Sequence, residues 1–293
     1  MRRKQIAVLL VLPTIIILVA TVIFPLIYSL NVSFRDYDIR LRLEKYPFVG
    51  LGNYARMFKD SRLFNSLVNT VFMIIGELSL QFTIGLGLAL LFTQEFKGKK
   101  TILPLIILPM MVTPVVVGYM GRLIFETRSG PINYLLNTVG IESLRWHTSS
   151  KTALFTVILI DTWQWTPFVM IILLAGLLAL PQEPFESAKV DGASGWQIFR
   201  YLTLPLLKPV IAVVLIMRTL DIFRVFDVLY VLTMGGPGTS TENINLYSYL
   251  CGFRYFNIGY ASSIAWFLAI ILSIGITIFF KLIKEGGYEL EEN

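Results

Sequence analysis

Cysteine and histidine are almost missing from this 293-residue chain, which has one of each, Cys251 and His147. A single cysteine excludes an intramolecular disulfide and a single histidine excludes a histidine-rich metal centre, so both residues read as incidental. Charge is also scarce: 15% of the residues are Asp, Glu, Lys or Arg, against 55% hydrophobic. That balance leaves more apolar surface than a soluble domain of this length can bury, which makes the chain an integral membrane protein. No Gly-x-x-x-x-Gly-Lys-Ser/Thr phosphate loop occurs, so the chain is not expected to bind and hydrolyse ATP itself. A Gly-x-Ser-x-Gly elbow and a His-Glu-x-x-His helix are missing too, which weakens any reading as an intramembrane enzyme. The net charge of +6 lies in short segments beside apolar runs and forms no basic stripe with interleaved aromatics. Anionic lipid headgroups, not nucleic acid, are its expected partners.

Six apolar runs are present, at about 6–29, 67–92, 102–125, 152–180, 210–232 and 261–283. At a rise of about 1.5 Å per residue, runs of this length cross a hydrocarbon core of roughly 30 Å. They predict an all-α, polytopic fold with six transmembrane helices, a single membrane domain over residues 1–293 and no separate soluble domain. Arg2, Arg3 and Lys4 lead the first run; a cleaved signal peptide would have a shorter apolar region and a small-residue cleavage site. Pro13 and Pro25 should kink the first helix, and Pro104, Pro109 and Pro114 should bend the third. The second run carries Glu77 and Gln81 on one face, with Gly85 and Gly87 permitting close helix contact. Glu77 reads as a hydrogen-bonded strut between helices, the alternative being a solute contact. Between the third and fourth runs, Gly130-Pro131 opens a short amphipathic helix with Ile132, Leu135, Leu136 and Val139 on one stripe, expected to lie flat at the interface.

The stretch 181–208 interrupts two apolar runs. Pro184 suits a first helical position, Glu186 lies in the first turn where the helix dipole favours a carboxylate, and Gly192 can take the left-handed conformation that ends a helix. Ser194 and Gln197 are spaced as a capping box, which starts a second helix with Trp196, Phe199 and Leu202 at helical spacing. Leu204-Pro205 is expected to stop it. An ordinary polar loop is the plainer reading. Two capped helices with exposed aromatics argue instead for a partner surface.

Charged residues at bilayer depth are costly unless they pair or face a wet cavity, so those of the fourth and fifth runs imply an interior surface. Arg218, Asp221, Ile222 and Val225 fall on one helical face, and Gln164, Trp165 and Phe168 share another. Aromatic rings beside hydrogen-bonding groups suit a sugar. The competing reading makes Arg218–Asp221 and Arg224–Asp227 mutually neutralising i, i+3 ion pairs, and Trp163 and Trp165 residues of the membrane belt. Lys and Arg are equally numerous on the two sides of the six-span arrangement. Their density in the shorter segments, with the three leading cations, puts both termini and 181–208 in the cytoplasm.

Over nearly its whole length the chain resembles the membrane permease subunits of binding-protein-dependent ATP-binding-cassette importers, in particular the carbohydrate type typified by maltose permeases. The family signature reads Glu-Ala-Ala, three residues, Gly, nine residues, Ile-x-Leu-Pro. Here it appears as Glu186-Ser187-Ala188, Gly192 and Leu202-Thr203-Leu204-Pro205, with Ser187 and Leu202 as conservative departures. Gly235-Gly236-Pro237 with Thr241-Glu242, and Phe256-Asn257-Ile258-Gly259-Tyr260-Ala261, also look like the sugar branch.

The resemblance implies that Glu186, Ser187, Ala188, Asp191, Gly192, Leu204 and Pro205 belong to a cytoplasmic coupling helix between transmembrane helices 4 and 5, set into a groove on a separate ATPase dimer. ATP and magnesium would bind that partner, with no cofactor, metal or catalytic residue on this chain. It further implies a second homologous permease, an extracytoplasmic solute-binding protein and the inner membrane of a prokaryote. Counted back from Gly235-Gly236-Pro237, the face with Arg218, Asp221, Ile222 and Val225 matches positions that line the solute path in maltose permeases. Most polar residues expected there are charged or aliphatic here, so solute identity does not carry over. A glycerol phosphate or polyol permease, an ion-driven secondary transporter and a membrane scaffold are the alternatives.

Overall fold

The computed structural model describes residues 3–288; the first two residues and tail residues 289–293, on which part of the charge reading rests, lie outside the described residues. Helix α1 (Arg3–Leu18) runs through a π-helical turn at Val19–Ile23 into α2 (Phe24–Ser33). Pro25 has no N–H to offer the Thr21 carbonyl, and the ladder slips by one residue, so that the Phe24 amide donates to the Val19 carbonyl. The expected kink at Pro25 thus takes the form of a π turn. Short α3 (Gly52–Met57) precedes α4 (Ser61–Thr93).

The third apolar run is two helices, α5 (Lys99–Met111) and α6 (Pro114–Ile124), bent by 100°. Val112 and Thr113 are both extended between them, and at Thr113 this follows from Pro114, which bars the helical region to the residue before it. Then follow α7 (Pro131–Thr138), α8 (Ala153–Leu178), α9 (Glu183–Val190) and α10 (Gly195–Ile198). A second π turn, Phe199–Thr203, leads straight into α11 (Leu204–Arg224). Pro205 therefore does not stop the helix; a π turn again absorbs the missing donor. Helices α12 (Asp227–Leu232), α13 (Ile244–Tyr249) and α14 (Ile258–Tyr288) complete the chain.

Among the described residues, four helical stretches are long and apolar enough to cross a membrane: Leu10–Ser33, Ser61–Thr93, Ala153–Leu178 and Ile258–Ile278. The bent pair α5–α6 is a fifth candidate. The expected fifth run at 210–232 is interrupted at Val225-Phe226, where α11 ends and α12 begins. In α7 the most buried residue is Asn133, which accepts hydrogen bonds from the Leu144 amide and the Trp146 indole, while Leu135 and Val139 are exposed.

The helices sort into two units. The first takes the chain up to Leu63 together with Tyr247–Ile274. Its polar centre is Asp60, which caps α4 through the Arg62 and Leu63 amides at 3.0 and 3.1 Å and accepts the Tyr247 and Tyr260 hydroxyls, each at 2.6 Å. Burial works to raise the pKa of this carboxyl, but the two hydroxyls and two amides outweigh it and hold the group below the usual carboxylate range. Cys251 is buried nearby, and burial pushes its thiol up to about 11, which leaves it unreactive at neutral pH.

Asp60→Ala is expected to lower stability by about 2–3 kcal/mol, since two tyrosine hydroxyls lose a charged acceptor and a helix loses its cap. A depressed folded-state pKa stabilises fully above the unfolded value of about 4 and loses that contribution as pH falls through the folded value. The melting-temperature gap between wild type and variant should therefore be widest at neutral pH and close below about pH 4.

The second unit takes Phe64–Leu246 and the chain from Gly275 on. Leu86, Ala89 and Phe92 of α4, Val169, Met170 and Leu173 of α8 and Leu207 and Val214 of α11 form its core, with Leu103 and Ile106 of α5 against it. A Cβ on Gly85 would lie 2.9 Å from Val169 Cγ1, so the expected close approach of α4 occurs there, against α8. Gly87 faces open space and takes no part.

Candidate functional site

An arginine buried between three helices organises the second unit. Arg218 of α11 is 1% exposed at its side chain, and Asp161 of α8, its partner, is 2% exposed. Arg218 donates from Nη2 to Asp161 Oδ1 at 2.9 Å and from Nε to Gln81 Oε1 of α4 at 2.8 Å. Gln81 returns a bond from Nε2 to the same Asp161 oxygen at 3.2 Å. The third direction, Nη1 to Asp221 Oδ2 at 3.4 Å, is longer, and that carboxylate is half-exposed. The Trp165 ring covers the guanidinium, 5.0 Å from its carbon. Glu77, one turn before Gln81 on α4, is fully buried and faces Asp161 and Arg218, yet neither of its oxygens has a hydrogen-bond partner.

This arrangement adds a partner for Arg218 that neither sequence reading contained. The i, i+3 partner Asp221 is present but secondary, and the tighter contact is Asp161, 57 residues earlier on another helix. Arg224 and Asp227 are separated by the helix break, and no ion pair joins them among the described residues. Asn243 and Asn245 hold that break open, donating to the carbonyls of Val225 at 2.6 Å and Arg224 at 3.1 Å. The Gly-Gly-Pro loop, which leads through Asn243 into α13, is pinned to α4, where Asn69 Nδ2 donates to the Thr239 and Glu242 carbonyls at 2.9 and 3.0 Å.

Beside the buried pair opens a cleft of about 210 Å³ in which Asp161, Trp165, Arg218, Asp221, Arg224 and Asp227 are the polar and indole groups. Val225 lines it as well. Ile222 is fully buried behind it, and Phe168 meets Trp165 edge-on at 6.2 Å. Gln164 is placed elsewhere: its Nε2 donates at 2.9 Å to the Val112 carbonyl at the α5–α6 break. Asp161, Gln81, Arg224 and Asp227 are polar members that sequence reasoning left out of the site. Their polar character inside apolar runs was the available signal, but pairing across helices is not encoded in local spacing.

In the 181–208 stretch the expected helix caps are present, although Pro205 does not end the second helix. Pro184 opens α9, and Gly192 at φ +79° closes it, the Ala193 amide reaching the Ala188 carbonyl and the Gly192 amide the Lys189 carbonyl. The capping box is formed: Ser194 Oγ accepts from the Gln197 amide, and Gln197 Oε1 accepts from the Ser194 amide at 2.7 Å. Neither α9 nor α10 has a buried residue, and Val190, Trp196 and Tyr201 are exposed.

Residues 81–284 match the family described as "Binding-protein-dependent transport system inner membrane component". The chain belongs to this family. Its members are integral to the membrane, and the chain is a transport component of an ATP-binding-cassette importer, not an enzyme. It is 36% identical to the trehalose/maltose transport system permease protein MalF of Thermococcus litoralis, over 88% of this chain and 85% of that one. With the trehalose transport system permease protein SugA of Mycobacterium tuberculosis it shares 32% identity over 96% and 90% of the two chains. The fold matches a bacterial transporter involved in the import of the acidic polysaccharide alginate, with a TM-score of 0.84 and 24% identity over 97% of this chain and 96% of that one.

Proposed function

We infer that this chain is the permease subunit that carries a sugar across the inner membrane of a prokaryote, by alternating access driven by a separate ATPase. The observation that carries this reading is the similarity to trehalose and maltose permeases over 88% and 96% of this chain. Six membrane crossings follow if the bent pair α5–α6 counts as one and the broken pair α11–α12 as another, beside the four long apolar helices. Both termini and α9–α10 are then cytoplasmic.

Glu186, Ser187, Ala188, Asp191 and Gly192 form the contact with the ATPase dimer, which holds ATP and magnesium. Leu204 and Pro205 pass its motion into α11. Support comes from the unbroken helical path from Gly195 to Arg224, with exposed aromatics at one end and Arg218 near the other. A second homologous permease completes the pathway, and an extracytoplasmic binding protein delivers the solute. Gln164, Trp165, Phe168, Arg218, Asp221, Ile222 and Val225 belong to the moving interior, Trp165, Asp221 and Val225 as its solute-facing wall and Gln164 as a brace on the α5–α6 bend.

The test is uptake into proteoliposomes holding the permease pair and ATPase, with binding protein outside. A labelled disaccharide should accumulate and a labelled amino acid should not; the reverse result overturns the carbohydrate assignment.

A further inference from the structure

Resting on the carbohydrate reading, we propose that the solute of this permease is uncharged, and that the cleft beside Arg218 rejects sugar phosphates and uronic acids. Arg218 is the residue that an anionic sugar would need, because a planar guanidinium matches phosphate and carboxylate oxygens. Three of its five N–H donors are already engaged: Nε is held by Gln81, one on Nη2 by Asp161 and one on Nη1 by Asp221, and its face is covered by Trp165. With 1% of the side chain exposed, it can turn to a ligand only by loosening its hold on Asp161, a buried carboxylate that pairs with no other cation among the described residues.

The groups left to face a solute are Asp221, Asp227 and Arg224. Over the whole lining three carboxylates stand against two guanidiniums, since Arg218 is shared between Asp161 and Asp221, and Asp227 stands beside Arg224. Asp227 and Asp221 are both exposed and both line the cleft, so both carboxylates meet incoming solute. An anionic group approaching Arg224 therefore meets a net negative surface, and like-charge juxtaposition in a partly dehydrated cleft is strongly unfavourable. A neutral sugar suits the same groups: carboxylate oxygens accept its hydroxyl protons, Arg224 donates to its oxygens, and Trp165 and Phe226 offer rings to its C–H faces.

The test is ligand-detected saturation-transfer NMR on the nanodisc-held permease pair with its ATPase and without binding protein, so that the delivery protein's preference does not enter. Trehalose and trehalose 6-phosphate serve as probes. Trehalose should bind at least about tenfold more tightly than its phosphate. Asp221→Asn and Asp227→Asn, both at exposed positions, should each narrow that ratio severalfold by improving phosphate binding. Equal binding of the two probes by wild type, or variants with an unchanged ratio, overturns the inference while leaving the carbohydrate reading standing. Binding of neither sugar alongside binding of another solute overturns the carbohydrate reading itself.

Discussion

Replacing Arg218 by methionine will abolish transport and lower the stability of the permease by about 3–5 kcal/mol, the cost of leaving a buried carboxylate without its partner. The size follows from burial. Both side chains of the pair are within 2% of complete enclosure, so Asp161 has no solvent to turn to. Gln81 would still donate to Asp161, but a neutral amide does not replace a cation. Arg218→Lys should lose most of the same function, because one ammonium cannot reach Gln81 and Asp161 along the two directions that the guanidinium uses. Arg218→Met combined with Asp161→Asn removes both charges and should recover most of the stability while transport stays impaired. Melting of the purified complex and uptake by vesicles separate the two effects. A single Arg218→Met variant that melts like wild type would remove the buried pair from this account.

Gly192→Pro is expected to cut transport-coupled ATP turnover more than tenfold with little change in membrane insertion. Proline fixes φ near about −65°, whereas Gly192 sits at +79° and donates its amide to the Lys189 carbonyl, so α9 loses its close and α10 its direction. Because neither helix has a buried residue, the damage stays on the docking surface. Gly192→Ala meets no neighbour within 4 Å and should cost only the left-handed backbone penalty of about 1–2 kcal/mol. Glu186→Lys, which puts a cation into the first turn of α9, should also uncouple. Normal coupling in both Gly192→Pro and Glu186→Lys would sink the assignment of this stretch.

The contrast between these two sites explains how much the sequence could tell. The capped pair α9–α10 was legible residue by residue, because a proline, a left-handed glycine and a Ser–Gln box act within a few positions of themselves. The apolar runs were legible by length. Their interruptions were less so: Pro205 read as a stop because its missing amide ends most helices, yet a π turn carries the chain past it. The proline-rich third run promised a bend, but its 100° depends on two extended residues and on a hydrogen bond from Gln164, 52 positions away. The choice of Asp161 over Asp221 as the main partner of Arg218 was beyond local spacing altogether. It is made by the packing of α4, α8 and α11, which the glycine at position 85 and the aliphatic core bring together.

On the proposed reading, energy reaches this chain only through a separate ATPase. That dependence is tested most directly by labelled-sugar uptake into proteoliposomes with the binding protein present and the ATPase included, omitted or blocked in hydrolysis. Accumulation should require the active ATPase and fall to background in the other two preparations. Uptake that persists without the ATPase and follows an imposed ion gradient would contradict the account and make the chain a secondary transporter.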